Sequence, residues 1–267
     1  MSKLPISFED VLAAAKRIKD GIYHTPAEFS EVLSEAVGSE IFLKFEIFQH
    51  TASFKERGAL NMLLSLSGAE KKHGVVAASA GNHAQGVAFH AARLGIPATI
   101  VMPTDTAFTK IKRSELFGAK IVLHGKTFSE AMAEARRLEK QKNFTFIPTY
   151  DHPLIMAGQG TVAVEFLKRF PDLDTLIVPV GGGGLIAGCV VAAGFDPLWF
   201  GIFLVITVEM AQVTPPVGFN LFVVQNLTGE PIAMIARAAF PFFLIMAAFA
   251  LLIAVFPGIV TFLPNIL

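Results

Sequence analysis

An abrupt change of solvent preference at Gly194 constrains this chain more than any other feature. Of its 22 Lys and Arg residues only Arg237 follows Gly194, and of its 22 Asp and Glu residues only Asp196, Glu209 and Glu230 do. Residues 1–194 therefore hold 21 basic and 19 acidic side chains, the balance of an ordinary soluble domain. The remainder is nearly uncharged and rich in Phe, Ile, Leu, Val and Ala. A domain is built around one core in one solvent. The pattern therefore predicts two units, a domain over 1–194 and a membrane fragment over 195–267. A formal net charge of zero gives no ground for a nucleic-acid partner. The single cysteine, Cys189, excludes an intrachain disulfide and reads as a small buried apolar residue. The run from Met1 to Asp10 has no apolar stretch, so no secretory signal is expected and the first unit is expected to be cytoplasmic.

Hydrophobic spacing sets the elements of the first unit. Phe8, Val11, Leu12, Ala15 and Ile18 mark a helix over 7–20, with Ser7 as N-cap. Strands are expected at 41–47, 74–78, 98–102, 120–123, 144–147 and 175–180. Helices are expected at 53–65, 81–94, 108–117, 129–141 and 155–170. This alternation predicts an α/β fold, a doubly wound parallel sheet that binds ligands where strand ends lead into helix N-termini.

Three loops could carry chemistry. Gly181, Gly182, Gly183 and Gly184 follow a strand and open a helix, so their N–H groups suit a phosphate. A tight turn that exploits glycine's free φ is the plainer reading. Lys55, in Ser53-Phe54-Lys55-Glu56-Arg57-Gly58, stands at the cation-unfavourable end of a helix. It is either a solvated surface charge or a lysine set up for Schiff-base chemistry. Ser79-Ala80-Gly81-Asn82-His83 is either an N-capping turn or a loop whose N–H groups hold a carboxylate, and His83 alone reads as structural.

Together, and in this order, the three loops resemble those of the fold-type-II pyridoxal-phosphate enzymes. Within these, the match is to the threonine dehydratase (threonine ammonia-lyase) and serine racemase group. Ala157-Gly158-Gln159-Gly160-Thr161 is a fourth match, and the resemblance runs to about Gly194. It implies that Lys55 binds pyridoxal 5'-phosphate covalently and removes the substrate's Cα proton. Phe54 would pack beside the cofactor and Asn82 would bond its ring hydroxyl. Gly181, Gly182, Gly183 and Gly184 would hold its phosphate, Leu185 would also contact the cofactor, and Ser79, Ala80, Gly81, Asn82 and His83 would receive the substrate carboxylate. The reaction would be β-elimination from threonine or serine, giving a 2-oxo acid and ammonia. The family's larger domain continues beyond the glycine loop for on the order of a hundred residues. The partner of the pyridine nitrogen and a divalent-cation site lie there. No metal ligand is therefore assigned, a truncated fold is expected, and catalysis is expected to be weakened. An oligomer is compatible with this reading.

The tail has its own pattern. Residues 238–256 carry no charge and read as a transmembrane helix. A second apolar run, 198–213, contains Glu209 and ends at Thr214-Pro215-Pro216-Val217-Gly218. That break suits either a re-entrant membrane helix or a loop between two short helices. Asp196-Pro197-Leu198-Trp199-Phe200-Gly201 and Thr214 to Val223 resemble the C-terminal end of the large permease subunit of tripartite ATP-independent periplasmic (TRAP) transporters. That family moves C4-dicarboxylates. Three readings follow: a dehydratase-like enzyme held to membrane lipid by its tail, a transporter component, or a non-physiological join of two gene fragments. Nearly all basic residues precede the tail, which places the first unit on the cytoplasmic side.

Overall fold

The computed structural model describes residues 5–214 and 218–266. They form two compact units, one from Pro5 to Gly194 and one from Phe195 onward. Met1 to Leu4 and the Pro215-Pro216-Val217 break lie outside the described residues.

The first unit opens with α1 (Phe8–Ile18). Ser7 caps it: its hydroxyl accepts from the Asp10 N–H at 3.2 Å, and the Asp10 carboxylate accepts from the Ser7 N–H at 2.8 Å. A small ribbon follows, β1 (Ala27–Phe29), α2 (Glu31–Val37) and β2 (Phe42–Lys44). Next come α3 (Lys55–Ser65), α4 (Gly68–His73), β3 (Val75–Ala78), α5 (Asn82–Arg93) and β4 (Ala98–Met102). Then come α6 (Phe108–Leu116), β5 (Lys120–Leu123), α7 (Phe128–Lys142), β6 (Thr145–Phe146), α8 (Pro153–Arg169) and α9 (Gly184–Ala192).

Strands β3 to β6 make one parallel sheet in the order β5-β4-β3-β6. Alternate side chains leave its two faces. Val75, Ala77, Ile100 and Met102 pack with Ala59 and Leu63 of α3 and Ala84 and Val87 of α5. Val76, Ala78 and Val101 pack with Ala131, Ala135 and Leu138 of α7. The sheet is thus covered on both faces, the doubly wound arrangement expected from the alternation. The chain steps outward from β3 to β5 and then returns to pair β6 on the other side of β3. That reversal opens a crevice between the carboxyl ends of β3 and β6, where such sheets bind ligands.

Two expected strands do not join this sheet. The 41–47 strand is reduced to β2, which pairs antiparallel with β1 (Ala27 opposite Lys44) and gives way to a 3₁₀ turn at Glu46–Phe48. The Glu46 carboxylate is drawn instead to the buried Arg57 guanidinium, at 2.7 and 2.8 Å. Residues 175–180 lie outside any ladder. Leu176 and Val178 pack inward on Val162, Ala163, Leu185 and Cys189, while Ile177 is 86% exposed. The alternation is that of a strand, but among the described residues no neighbour meets its backbone groups, and a strand forms only with a ladder partner.

Around the sheet, α3, α8 and α9 cross at very short range through glycines. A Cβ at Gly158 would lie 2.6 Å from the Gly58 Cα, and one at Gly160 would lie 2.7 Å from the Gly188 carbonyl oxygen. Arg57, fully buried, bonds Glu46, Thr161 and Glu165, and Lys44 adds a 2.6 Å bond to Glu165. This network joins β2, α3 and α8.

The second unit is helical: α10 (Pro197–Gln212), α11 (Phe219–Thr228), α12 (Ile232–Val255) and α13 (Gly258–Ile266). Asp196 caps α10 by accepting the Trp199 N–H at 2.8 Å, and the Trp199 indole donates to the Ile253 carbonyl of α12 at 2.7 Å. With 24 residues, and 18 consecutive ones among them averaging a hydropathy of 2.6, α12 is long and apolar enough to cross a bilayer. It begins six residues before the expected span and includes Pro241. Ile253 is its one buried residue, while Phe242, Ile245, Leu251 and Val255 are exposed.

Candidate active site

Lys55 is the first residue of α3, and its side chain is half-buried at the crevice. Its Nζ donates to the Thr149 carbonyl, 3.3 Å away, just past the end of β6. Burial holds its ammonium below the usual lysine range. Phe54 lies under it, 5.4 Å from Nζ to the ring centroid. The same ring packs with Leu185 at the start of α9, so the structure brings Phe54, Lys55 and Leu185 together.

The Ser79–Gly81 loop leaves β3 on the facing side of the crevice. The Ser79 hydroxyl accepts the Gly81 N–H at 3.2 Å, which folds the loop back at the entrance to α5. No side chain caps that helix, so its first N–H groups stay open to a ligand. Asn82 is exposed, and its side chain makes none of the hydrogen bonds present. His83 is turned inward, 2% exposed, with Nε2 3.1 Å from the Ile147 carbonyl. Burial, with the nearby charge of Lys55, drives its pKa down to about 4 despite the Ile147 carbonyl, so its ring is neutral. Its side chain therefore supports the loop, and only its backbone N–H faces the helix entrance.

The glycine loop meets the same place through Tyr150. A Cβ on Gly182 would collide with the Tyr150 ring, and one on Gly184 would lie 3.0 Å from the Tyr150 carbonyl oxygen. Gly181 and Gly183 face open space, and Gly183 has a φ of +85°, which favours glycine. The start of α9 likewise lacks a side-chain cap. The three loops read from the sequence thus converge on one crevice: Thr149-Tyr150 connects Lys55 to the glycine loop, and the β3 loop is tied in through His83 and the Ile147 carbonyl. The Thr149-Tyr150 pair was missed in the sequence. The available signal was its position after β6, at the reversal of strand order.

Two buried polar atoms beside the lysine lack partners: Thr149 Oγ1, on the residue whose carbonyl Lys55 bonds, and His83 Nδ1. Unmet buried groups are costly, and a polar ligand in the crevice would relieve them. Among the described residues, no three His, Cys, Asp or Glu side chains are placed to hold a metal. Cys189 is buried, and burial pushes its thiol up to about 12, which makes it unreactive.

The sequence matches the model of the pyridoxal-phosphate dependent enzyme family over residues 18–221, a stretch that enters the second unit. It is 47% identical over 187 residues to the L-threonine ammonia-lyase of Thermotoga maritima, covering 70% of this chain and 47% of that protein. It is also 47% identical over 189 residues to the catabolic L-threonine dehydratase of Escherichia coli, covering 71% of this chain and 57% of the relative. The structure of maize serine racemase superposes with a TM-score of 0.70 at 34% identity, over 71% of this chain and 58% of that one. The chain thus spans about half the length of the curated relatives it matches. With Lys55, the glycine loop and the β3 loop set around one crevice, this chain belongs to the pyridoxal-phosphate dependent enzyme family and has its fold-type-II α/β architecture.

Proposed function

We propose that this protein binds pyridoxal phosphate at Lys55 and eliminates water from threonine or serine. The carrying observation is the half-buried Lys55, its pKa lowered by burial, at the reversal of strand order. The residues fit the cofactor. The open faces of Gly181 and Gly183 leave room for a phosphate beside uncapped N–H groups, and Thr149 Oγ1 is unpartnered beside Lys55. Asn82, exposed at the first position of α5, is available to a ring hydroxyl. Bound there, the cofactor supplies an electron sink for carbanion chemistry.

The chain's own residues would do the rest. The N–H groups of Ala80, Asn82 and His83 receive the substrate carboxylate at the positive end of α5, while those of Ser79 and Gly81 are bonded to Val101 and to the Ser79 hydroxyl and hold the loop in shape. Lys55, with its ammonium disfavoured by burial, takes the Cα proton onto Nζ. The β-hydroxyl leaves with a proton as water, and hydrolysis of the product yields a 2-oxo acid and ammonia. The substrate reading is supported by the threonine-acting relatives. The experiment is borohydride trapping of pyridoxal phosphate followed by peptide mapping, together with an assay for 2-oxo acid release from threonine and serine. Label on the peptide containing Lys55, and its loss in Lys55→Ala, is the expected result. Absence of label, or label that survives the substitution, refutes the proposal.

For residues 195–267 we propose insertion in a membrane through α12, with the first unit on the cytoplasmic side. The exposed apolar surface of α12 supports this. Kinship to the TRAP permease rests only on the Asp196–Gly201 and Thr214–Val223 motifs, and no transport step is assigned. A join of two reading frames is the competing account of the tail. Sequencing codons 190–200 in independent isolates decides it: a join absent from them removes the membrane proposal.

A further inference from the structure

We propose that Glu56, the residue after the lysine, is a positioning residue whose ionised carboxylate locks the Thr51–Lys55 turn against α5. The inference rests on Lys55 being the cofactor lysine.

The turn is not self-supporting. Ala52 has a φ of +56°, in the left-handed region that residues other than glycine avoid. Its N–H reaches back to the Gln49 carbonyl at 2.8 Å, and the Lys55 N–H donates to the Ser53 hydroxyl at 3.2 Å. Glu56 spans this bend. Its Oε2 accepts both the Thr51 N–H, at 2.7 Å, and the Thr51 hydroxyl, at 2.8 Å. Its Oε1 lies 2.9 Å from His50 Nδ1. The His50 ring is stacked between Tyr23, centroid at 4.1 Å, and Phe89, at 4.8 Å, which fixes that nitrogen toward the carboxylate.

On the other side stands α5, whose N-terminal end is the substrate loop. Its Gly86 approaches so closely that a Cβ there would lie 3.0 Å from the Glu56 Cα. One turn further, His90 brings Nε2 to 3.6 Å from Oε1, short of a hydrogen bond and without another partner. Arg93 of α5 also acts on His90. Burial raises the Glu56 carboxyl, but His90, His50 and Thr51 more than reverse this and hold it at about 2. A fully buried charge with this many donors, one residue from the lysine, joins the lysine's turn to the helix that carries the facing loop.

The test is amide hydrogen exchange on the full chain in detergent, without cofactor. Glu56→Gln keeps the shape and removes the charge, and Thr51→Val removes one of the two Thr51 bonds. Exchange across residues 51–55 is expected to rise about tenfold in the first and by less in the second, since bonds to charged groups are the stronger ones. The amides of β3 and β4 are expected not to change. Unchanged exchange across 51–55, or a rise of equal size in β3 and β4, overturns the inference. If Glu56→Gln does not fold, Thr51→Val decides alone by the same criterion. Borohydride trapping in parallel is expected to lose Lys55 label in the same order as the exchange rises. Equal trapping in all three proteins overturns the positioning role. No trapping even in the parent chain removes the cofactor reading, and with it the premise of the inference.

Discussion

Replacing Gly188 with alanine is expected to weaken cofactor binding without touching the cofactor. The α8–α9 crossing has backbone on both sides. A Cβ at Gly188 would lie 2.6 Å from the Gly160 Cα and 2.5 Å from its nitrogen, and closer still to the Met156 carbonyl. Carbon atoms settle at about 3.5–4 Å, so α9 must retreat by roughly 1 Å. No side chain can move aside in its place. Overpacking of this kind costs about 1–3 kcal/mol, and the better helix propensity of alanine returns only about 1 kcal/mol. The glycine loop opens α9 and moves with it. A shift of about 1 Å takes a 2.9 Å hydrogen bond beyond useful length. Losing one such bond to a phosphate, at ~1.5–3 kcal/mol, lowers affinity roughly tenfold or more. Titration of pyridoxal phosphate followed by borohydride trapping measures the affinity, and thermal melting measures the fold. Gly160→Ala should act alike, since its Cβ would meet the Gly188 carbonyl, and the double variant should cost less than the two singles together. A Gly188→Ala protein with parental affinity and melting point would refute the crossing as the support of the glycine loop.

Other outcomes follow from the same geometry. Arg57→Ala leaves Glu46 and Glu165 short of their buried counter-charge and should destabilise the first unit by about 3–5 kcal/mol, read by thermal melting. Glu56 has a folded pKa of about 2 against an ordinary 4.5, so its contribution is full above pH 4.5 and is lost as the pH falls toward 2. The loss is on the order of 3 kcal/mol, and acid titration of Glu56→Gln should lack it. The full chain should float with lipid vesicles, and Leu244→Asp in mid-α12 should disfavour insertion by about 3 kcal/mol and lower the floating fraction.

Much of the first unit was legible because local signals agreed with tertiary ones. Ser7 was legible as the N-cap of α1 and does cap it, and the runs at 98–102 and 120–123 are strands because both pair in parallel with continuous neighbours. The 175–180 run has the same pattern and fails, because pairing is non-local and periodicity does not report it. The glycine loop and Lys55 could be found as motifs. Their convergence could not, since it passes through Thr149-Tyr150, two residues of common type with no motif. Glu56 was equally hidden. A glutamate in the first turn of a helix reads as a solvated charge, and only the fold brings His50 and His90 to it. The membrane reading of the second unit came from hydropathy, and the exposed face of α12 agrees with its composition.

The unladdered 175–180 segment has a consequence for the life of the protein in a cell. Ile177 and Val180 stand exposed on an extended backbone whose N–H and C=O groups have no ladder among the described residues. Extended apolar segments of this kind template pairing with other chains. Quality control acts on exposed apolar chain, and triage by chaperones and proteases sets abundance as strongly as any active-site residue. The amount of this protein that accumulates is therefore expected to follow how well this short stretch is covered.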